Sequence, residues 1–209
     1  MEAALRTYFA GEVTVAATFL ALGLAGLVLG VALLRRATHA RSRAFRRGLA
    51  LPILGVALAQ AAVGGAVFLR TDAQVAALSA QLAEAPAQYR AAEGARMRAV
   101  VRGFRTLALI EVVLMLVGAT LTVVGRAKRR LGLVGAGLGL VVQGGLSLAV
   151  DQYAAYSARA YIGALLQFDP AESKHPDLEW AHPTLPPRAR TVPVPVPVPV
   201  PDASTHRSA

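Results

Sequence analysis

The chain has no cysteine in 209 residues. That removes disulfides, thiolate metal ligands and cysteine nucleophiles together. Its four histidines, His39, His175, His182 and His206, lie outside every long apolar run, so no imidazole could ligate haem within a membrane. Acidic residues are scarce, 12 against 22 Lys and Arg. No carboxylate in the apolar runs has the Glu-x-x-His spacing of a di-iron bundle. There is no Gly-x-Ser-x-Gly elbow, no phosphate-cradling loop ending in Gly-Lys-Ser/Thr and no His-Glu-x-x-His helix. The reading is therefore of a non-enzymatic protein with no catalytic residues, metal ligands or cofactor.

What the chain has is four long apolar runs at 13–34, 48–69, 106–125 and 131–150. Each is about 20 residues, enough to cross about 30 Å of hydrocarbon as a helix. Three carry no charge and the other has only Glu111. With 55% hydrophobic residues, too little polar surface remains to cover four such segments in water. The expected fold class is an all-α integral membrane protein.

A net charge of +10 would ordinarily invite a nucleic-acid reading. The surplus, however, sits in two short linkers, Arg35, Arg36, Arg41, Arg43, Arg46 and Arg47 in one and Arg126, Lys128, Arg129 and Arg130 in the other. These ten residues have no acidic neighbours within the linkers, and the rest of the chain is balanced, twelve against twelve. Lys and Arg accumulate on the cytoplasmic side because they resist translocation, so both linkers belong inside. The N-terminus, the connection 70–105 and the C-terminus then face outward, which in a bacterial inner membrane is the periplasm. The inner linkers could also attract anionic lipid at about 1 kcal/mol per basic residue. Ala37-Thr38-His39-Ala40 loosely resembles a signal-peptidase site, but Glu2, Arg6 and Glu12 precede a run longer than a signal h-region, which reads as a retained first helix.

The outward connection reads as a helical hairpin. Val75, Leu78 and Leu82 share one face, and Met97, Val100, Val101 and Phe104 form a second stripe. The turn falls at Glu84 to Ala87, where Pro86 disfavours helix in the residue before it. The fourth run continues through 151–168, with Tyr153, Tyr156 and Tyr161 near the outer boundary. Helices two to four then span about 36 residues, or about 54 Å, and helix one nearly matches. The expectation is an antiparallel up-down-up-down bundle over 1–168, its outer halves in water. The rival is a break at Arg70-Thr71-Asp72, where Thr71 and Gln74 resemble a capping box. Residues 169–209 read as a disordered proline-rich tail, with a Val-Pro repeat over 192–201 that favours polyproline II.

Candidate functional residues are few. Gly26-x-x-x-Gly30 and Gly135-x-x-x-Gly139 allow close helix approach, internally or in a homo-oligomer. Gln60 and Gln143 fall at similar counted depths and are expected to form an interhelical polar contact. Glu111 is sharper, because a carboxylate in hydrocarbon is costly unless paired or protonated. Depth counting places Glu12, Arg70 and Asp151 within about two turns of it. Either Arg70 or Arg105 neutralises Glu111 or Asp151 to fix helix register, or Glu111, Asp151 and Glu12 form a proton or cation site open to the outside. The functional expectation is a scaffold or accessory subunit of a bacterial cell envelope, embedded in the bilayer and engaging an envelope protein through the outer hairpin or tail. The alternative is a small transporter or channel component with a proton or cation site at Glu111 and Asp151.

Overall fold

The computed structural model describes residues 1–35 and 40–171, and of residues 40 and 41 the backbone only. Among the described residues there are four long helices and no strand: α1 Glu2–Arg35, α2 Ala40–Glu84, α3 Pro86–Ala127 and α4 Leu131–Gln167. All four are long and apolar enough to cross a membrane. The expected proline-rich tail, with the Val-Pro repeat, Trp180, His175 and His182, lies outside the described residues, as do Arg36 and His39.

The helices are less equal than residue counting suggested, at 34, 45, 42 and 37 residues. The basic segment before residue 48 is itself helical, because Ala and Arg are strong helix formers and nothing there breaks the pattern. α2 also runs unbroken through residue 71. Thr71 is buried, and its hydroxyl donates to the Val67 carbonyl one turn back at 2.7 Å, a bond within the helix and not a cap. Between α2 and α3 a single residue, Ala85, leaves helical geometry at φ −141° and ψ 68°, and Pro86 opens α3 where a missing N–H costs nothing.

The turn from α3 to α4 closes in a Schellman arrangement. Arg130 N–H donates to Gly125 O and Arg129 N–H to Arg126 O, with Arg129 at φ 52° in the left-handed position that glycine usually fills. A side chain there costs about 1–2 kcal/mol. Arg129→Gly is therefore expected to raise the melting temperature of the detergent-solubilised protein by about 2–4 °C, read by thermal unfolding. At the other end of α4, Arg90 Nη2 donates to the Leu166 carbonyl at 2.9 Å and so caps the helix with a cation.

α1 packs along α2, α3 along α4, and α2 along α4, which makes α2 and α4 the central pair. The contacts show how. On α1, Gly23 lies against Ala57 and Ala61, Gly26 against Ala57 and Gly30 against Leu54 of α2. Gly118 of α3 meets Gly137 of α4, and Gly125 meets Val134. Gly135 sits on Phe45 and Leu49 of α2, and Gly139 on Leu49 and Pro52. Both small-residue motifs are thus buried in seams within the chain.

The interior changes character along the bundle. Toward residues 35, 45, 125 and 134 the buried positions are mostly Gly and Ala, with Ile53, Val134 and a few polar groups, while Leu24, Val28, Leu58, Leu109, Leu116 and Val123 point outward. Small residues there bring the helix backbones together, and backbone proximity holds that half together. At the opposite end the pattern inverts: Leu5, Tyr8, Phe9, Tyr89, Met97, Tyr161 and Leu165 form a core, with Val75, Leu78, Leu82 and Phe104 packed on it. Burial of large side chains stabilises this end, as in the core of an ordinary helix bundle.

Candidate functional site

At the junction of the two halves lies a cavity of about 180 Å³ walled by all four helices. α1 contributes Tyr8, Gly11, Glu12 and Phe19, α2 contributes Val67 and Arg70, α3 contributes Arg96 and Phe104, and α4 contributes Asp151 and Ser157. Glu12, Arg70 and Asp151, which depth counting grouped, all line it. Glu111 stands behind Asp151, its carboxyl group within hydrogen-bonding reach of the Asp151 carboxyl, and each residue is only 7% exposed. A carboxylate has acceptors only, so a hydrogen bond between two carboxyl groups holds a proton between them. Oε2 of Glu111 is buried without a hydrogen-bond donor among the described residues, as is Oε2 of Glu12.

The arginine pairing expected for this cluster is not the one observed. Arg70 Nη2 lies 3.3 Å from Glu12 Oε1, and Arg105 is exposed. α2 meets α1 more closely than α3, so the Arg70 guanidinium finds the α1 carboxylate and leaves the α3–α4 carboxyl groups to each other. Its side chain is 58% exposed, which limits the bridge to a fraction of a kcal/mol.

The glutamines also pair differently from expectation. Gln60 Nε2 donates to Ser147 Oγ at 3.0 Å, and Gln143 Nε2 reaches the Ile53 carbonyl at 3.5 Å. Helical α2 begins well before residue 48 and its Ala44 already lies beside Gly132 of α4, so Gln60 stands about one turn nearer the cavity than Gln143. Gln143, Ser147 and Asp151 are spaced four residues apart on the buried face of α4. They make a polar stripe about 12 Å long from the cavity into the bundle. Beyond Gln143 the buried α4 positions are Gly139, Gly137, Gly135 and Val134, pressed against α2 and α3.

Sequence reading missed what covers the cavity. Arg96 binds Glu93 through both carboxylate oxygens, at 2.7 and 2.6 Å, and lies 5.8 Å over the Phe9 ring. Tyr8 stacks on Tyr161 at 4.7 Å with the rings 8° from parallel, and the Tyr161 hydroxyl hydrogen-bonds that of Tyr89. Ser147 could have been found from its i±4 spacing to Gln143 and Asp151. Glu93 and Arg96 carried no signal, since i,i+3 charge pairs are usually solvated.

Burial pushes the Tyr8 hydroxyl up to about 12, with the Glu12 charge adding and Arg96 opposing. Burial also raises Tyr89 and Tyr161. Burial alone would lower Arg96, but its hydrogen bonds to Glu93 and that carboxylate's charge outweigh it and hold the guanidinium charged. For Tyr8 the unfolded chain releases its proton near 10 and the folded one near 12, so the stabilisation is complete below pH 10 and is lost as pH rises to about 12. Equilibrium unfolding across that window is expected to show a shallower loss in Tyr8→Phe than in the unsubstituted protein.

Of the linker cations, Arg35, Arg43, Arg47, Arg126, Lys128, Arg129 and Arg130 are exposed, Arg46 is half-buried, and the side chain of Arg41 lies outside the described residues. Among the described residues no three His, Asp or Glu side chains gather as a metal-binding group. Comparison with protein-family models, with curated proteins and with solved structures gives no match for this chain.

Proposed function

We propose that this is a multi-span protein of a bacterial inner membrane whose carboxyl pair, Glu111 and Asp151, is an outward-facing proton or cation site in a small transporter or transport component. The observation that carries the reading is the pair itself: two carboxyl groups in contact, each 7% exposed, with Asp151 on the wall of a cavity. Buried polar groups that serve only packing are normally satisfied. Here oxygens of Glu111, Glu12 and Gln60 are left without partners among the described residues. The polar stripe runs from Asp151 to Gln143 and gives way to glycine-packed backbone, which favours a site alternately loaded and released over an open pore.

The topology is part of the proposal. The four helices run up, down, up and down, the two basic linkers lie in the cytoplasm near anionic lipid, and both termini face the periplasm. The scaffold reading rested on the tail, which lies outside the described residues, and on the hairpin's apolar stripes, which pack inward. It has no observation of its own to favour it here.

Reconstituted in liposomes with a pH-sensitive dye inside, the protein is expected to carry protons down an imposed potential. Glu111→Gln keeps the shape and removes one acid. It should fold in normal yield and cut this flux about tenfold or more. Unchanged flux would contradict the proposal, and a loss of folded protein would assign the pair to structure instead.

A further inference from the structure

The cavity has its own charge account. Arg70 is matched by Glu12, and Arg96 by Glu93. The Glu111 and Asp151 carboxyl groups lie against each other, and neither forms an ion pair with Arg70 or Arg96. Much of the remaining wall is apolar and aromatic, with Tyr8, Phe19 and Phe104 lining it beside Val67 and Leu107. A hard inorganic cation seeks six or more converging oxygens, and among the described residues no three acidic or histidine side chains gather to supply them. An aromatic and apolar wall beside acidic groups suits an organic ammonium, which aromatic rings and carboxyl oxygens both attract. At about 30 Å³ per water-sized unit, 180 Å³ admits a molecule of about six heavy atoms.

An entrance is present as well. A shallow groove on the outer part of the α1–α4 seam is lined by Thr7, Thr14, Tyr153 and Tyr156, and it shares Tyr8, Gly11 and Ser157 with the cavity. α1 and α4 touch only lightly. At the threshold a Cβ on Gly11 would lie 3.7 Å from Ser157 Oγ and 3.9 Å from its Cβ. Two small residues therefore separate the groove from the cavity.

We infer that the cavity binds a small organic monocation of the ammonium class, admitted from the outer face between α1 and α4 at Gly11 and Ser157. The inference rests on the proposed cation site and adds its substrate class and its door. A Cβ separation of 3.9 Å matches that of a disulfide, and a chain without cysteine gives an engineered bridge no competitor.

The test uses tetramethylammonium as probe on the full chain in detergent, with equal sodium chloride as the reference, followed by calorimetry and by filter-binding of the labelled cation. The expected results are saturable binding in the unsubstituted protein and loss of about tenfold or more in affinity for Asp151→Asn. In the oxidised Gly11→Cys/Ser157→Cys protein, uptake should be slowed about tenfold or more, and dithiothreitol should reverse the slowing. Leu58→Cys, on the lipid-facing side of α2, controls for the oxidant and should show no redox effect. Absence of tetramethylammonium binding in a folded sample overturns the ligand class while leaving the proton flux to stand on its own. Binding whose rate is indifferent to oxidation of a bridge verified by mass spectrometry overturns the door. A protein that binds the probe but carries no protons refutes the transport reading and not this one.

Discussion

Gly135→Leu is expected to prevent accumulation of folded protein, whereas Gly55→Leu, on a neighbouring helix and equally apolar, should be neutral or slightly stabilising. A Cβ at 135 would be driven into the Phe45 carbonyl oxygen and would come within 2.8 Å of Leu49 N, both of them α2 backbone. Backbone cannot swing away as a side-chain tip can, so α2 and α4 would have to separate along their whole seam. Overpacking a close-packed interior costs about 1–3 kcal/mol or more when neighbours can relax. Here they cannot, and the seam lost is the one between the central pair of helices. Gly55 has nothing within 4 Å of an added Cβ and is exposed. Leucine there removes the roughly 0.8–1.0 kcal/mol penalty of glycine in a helix. Folded yield after gel filtration in detergent distinguishes the two, and equal yields would mean that the glycine seams do not hold this half together.

Arg96→Ala is the second substitution expected to have a large effect. The Glu93 carboxylate is 1% exposed and takes two charge-assisted hydrogen bonds from Arg96. Removing one partner of a buried pair leaves an uncompensated charge, at a cost of about 3–5 kcal/mol. The Arg96 side chain is itself 30% exposed, which puts the expectation at the lower end. The double variant Glu93→Gln/Arg96→Ala removes the stranded charge and should recover most of the loss. Urea unfolding of the single and double variants measures both, and a single variant as stable as the parent would show that water already satisfies Glu93. The pair matters beyond stability because Arg96 lies on the cavity wall, and its loss would open the outer core to solvent.

The helices and their extents were largely readable because they depend on local composition. Twenty apolar residues, Pro86 and the strong helix formers around Leu78 each act within a turn or two. The grouping of Glu12, Arg70 and Asp151 at one level was readable too, since rise per residue is fixed once helix ends are known. Rotation about each helix axis was not. Whether Arg70 faces Glu12 or Glu111 depends on which side of α2 meets α1, and that is set by glycines such as Gly23 and Gly64, whose close contacts no composition reveals. The offset that gives Gln60 to Ser147 arose the same way, from an α2 start earlier than its apolar run implied. Glu93 and Arg96 were illegible for a different reason. Their spacing is that of any solvated surface pair, and only the packing of Tyr8, Phe9 and Tyr161 around them makes it buried.

The central claim is that Glu111 and Asp151 share a proton that the outside can reach. Infrared difference spectroscopy on the reconstituted protein tests it most directly, by following the carbonyl stretch of a protonated carboxyl group as D₂O replaces H₂O. The account predicts such a band in the unsubstituted protein, shifted by deuterium, altered in Glu111→Gln or Asp151→Asn, and absent from the double variant. A band that survives in the double variant, one that does not respond to D₂O, or no band at all would contradict it.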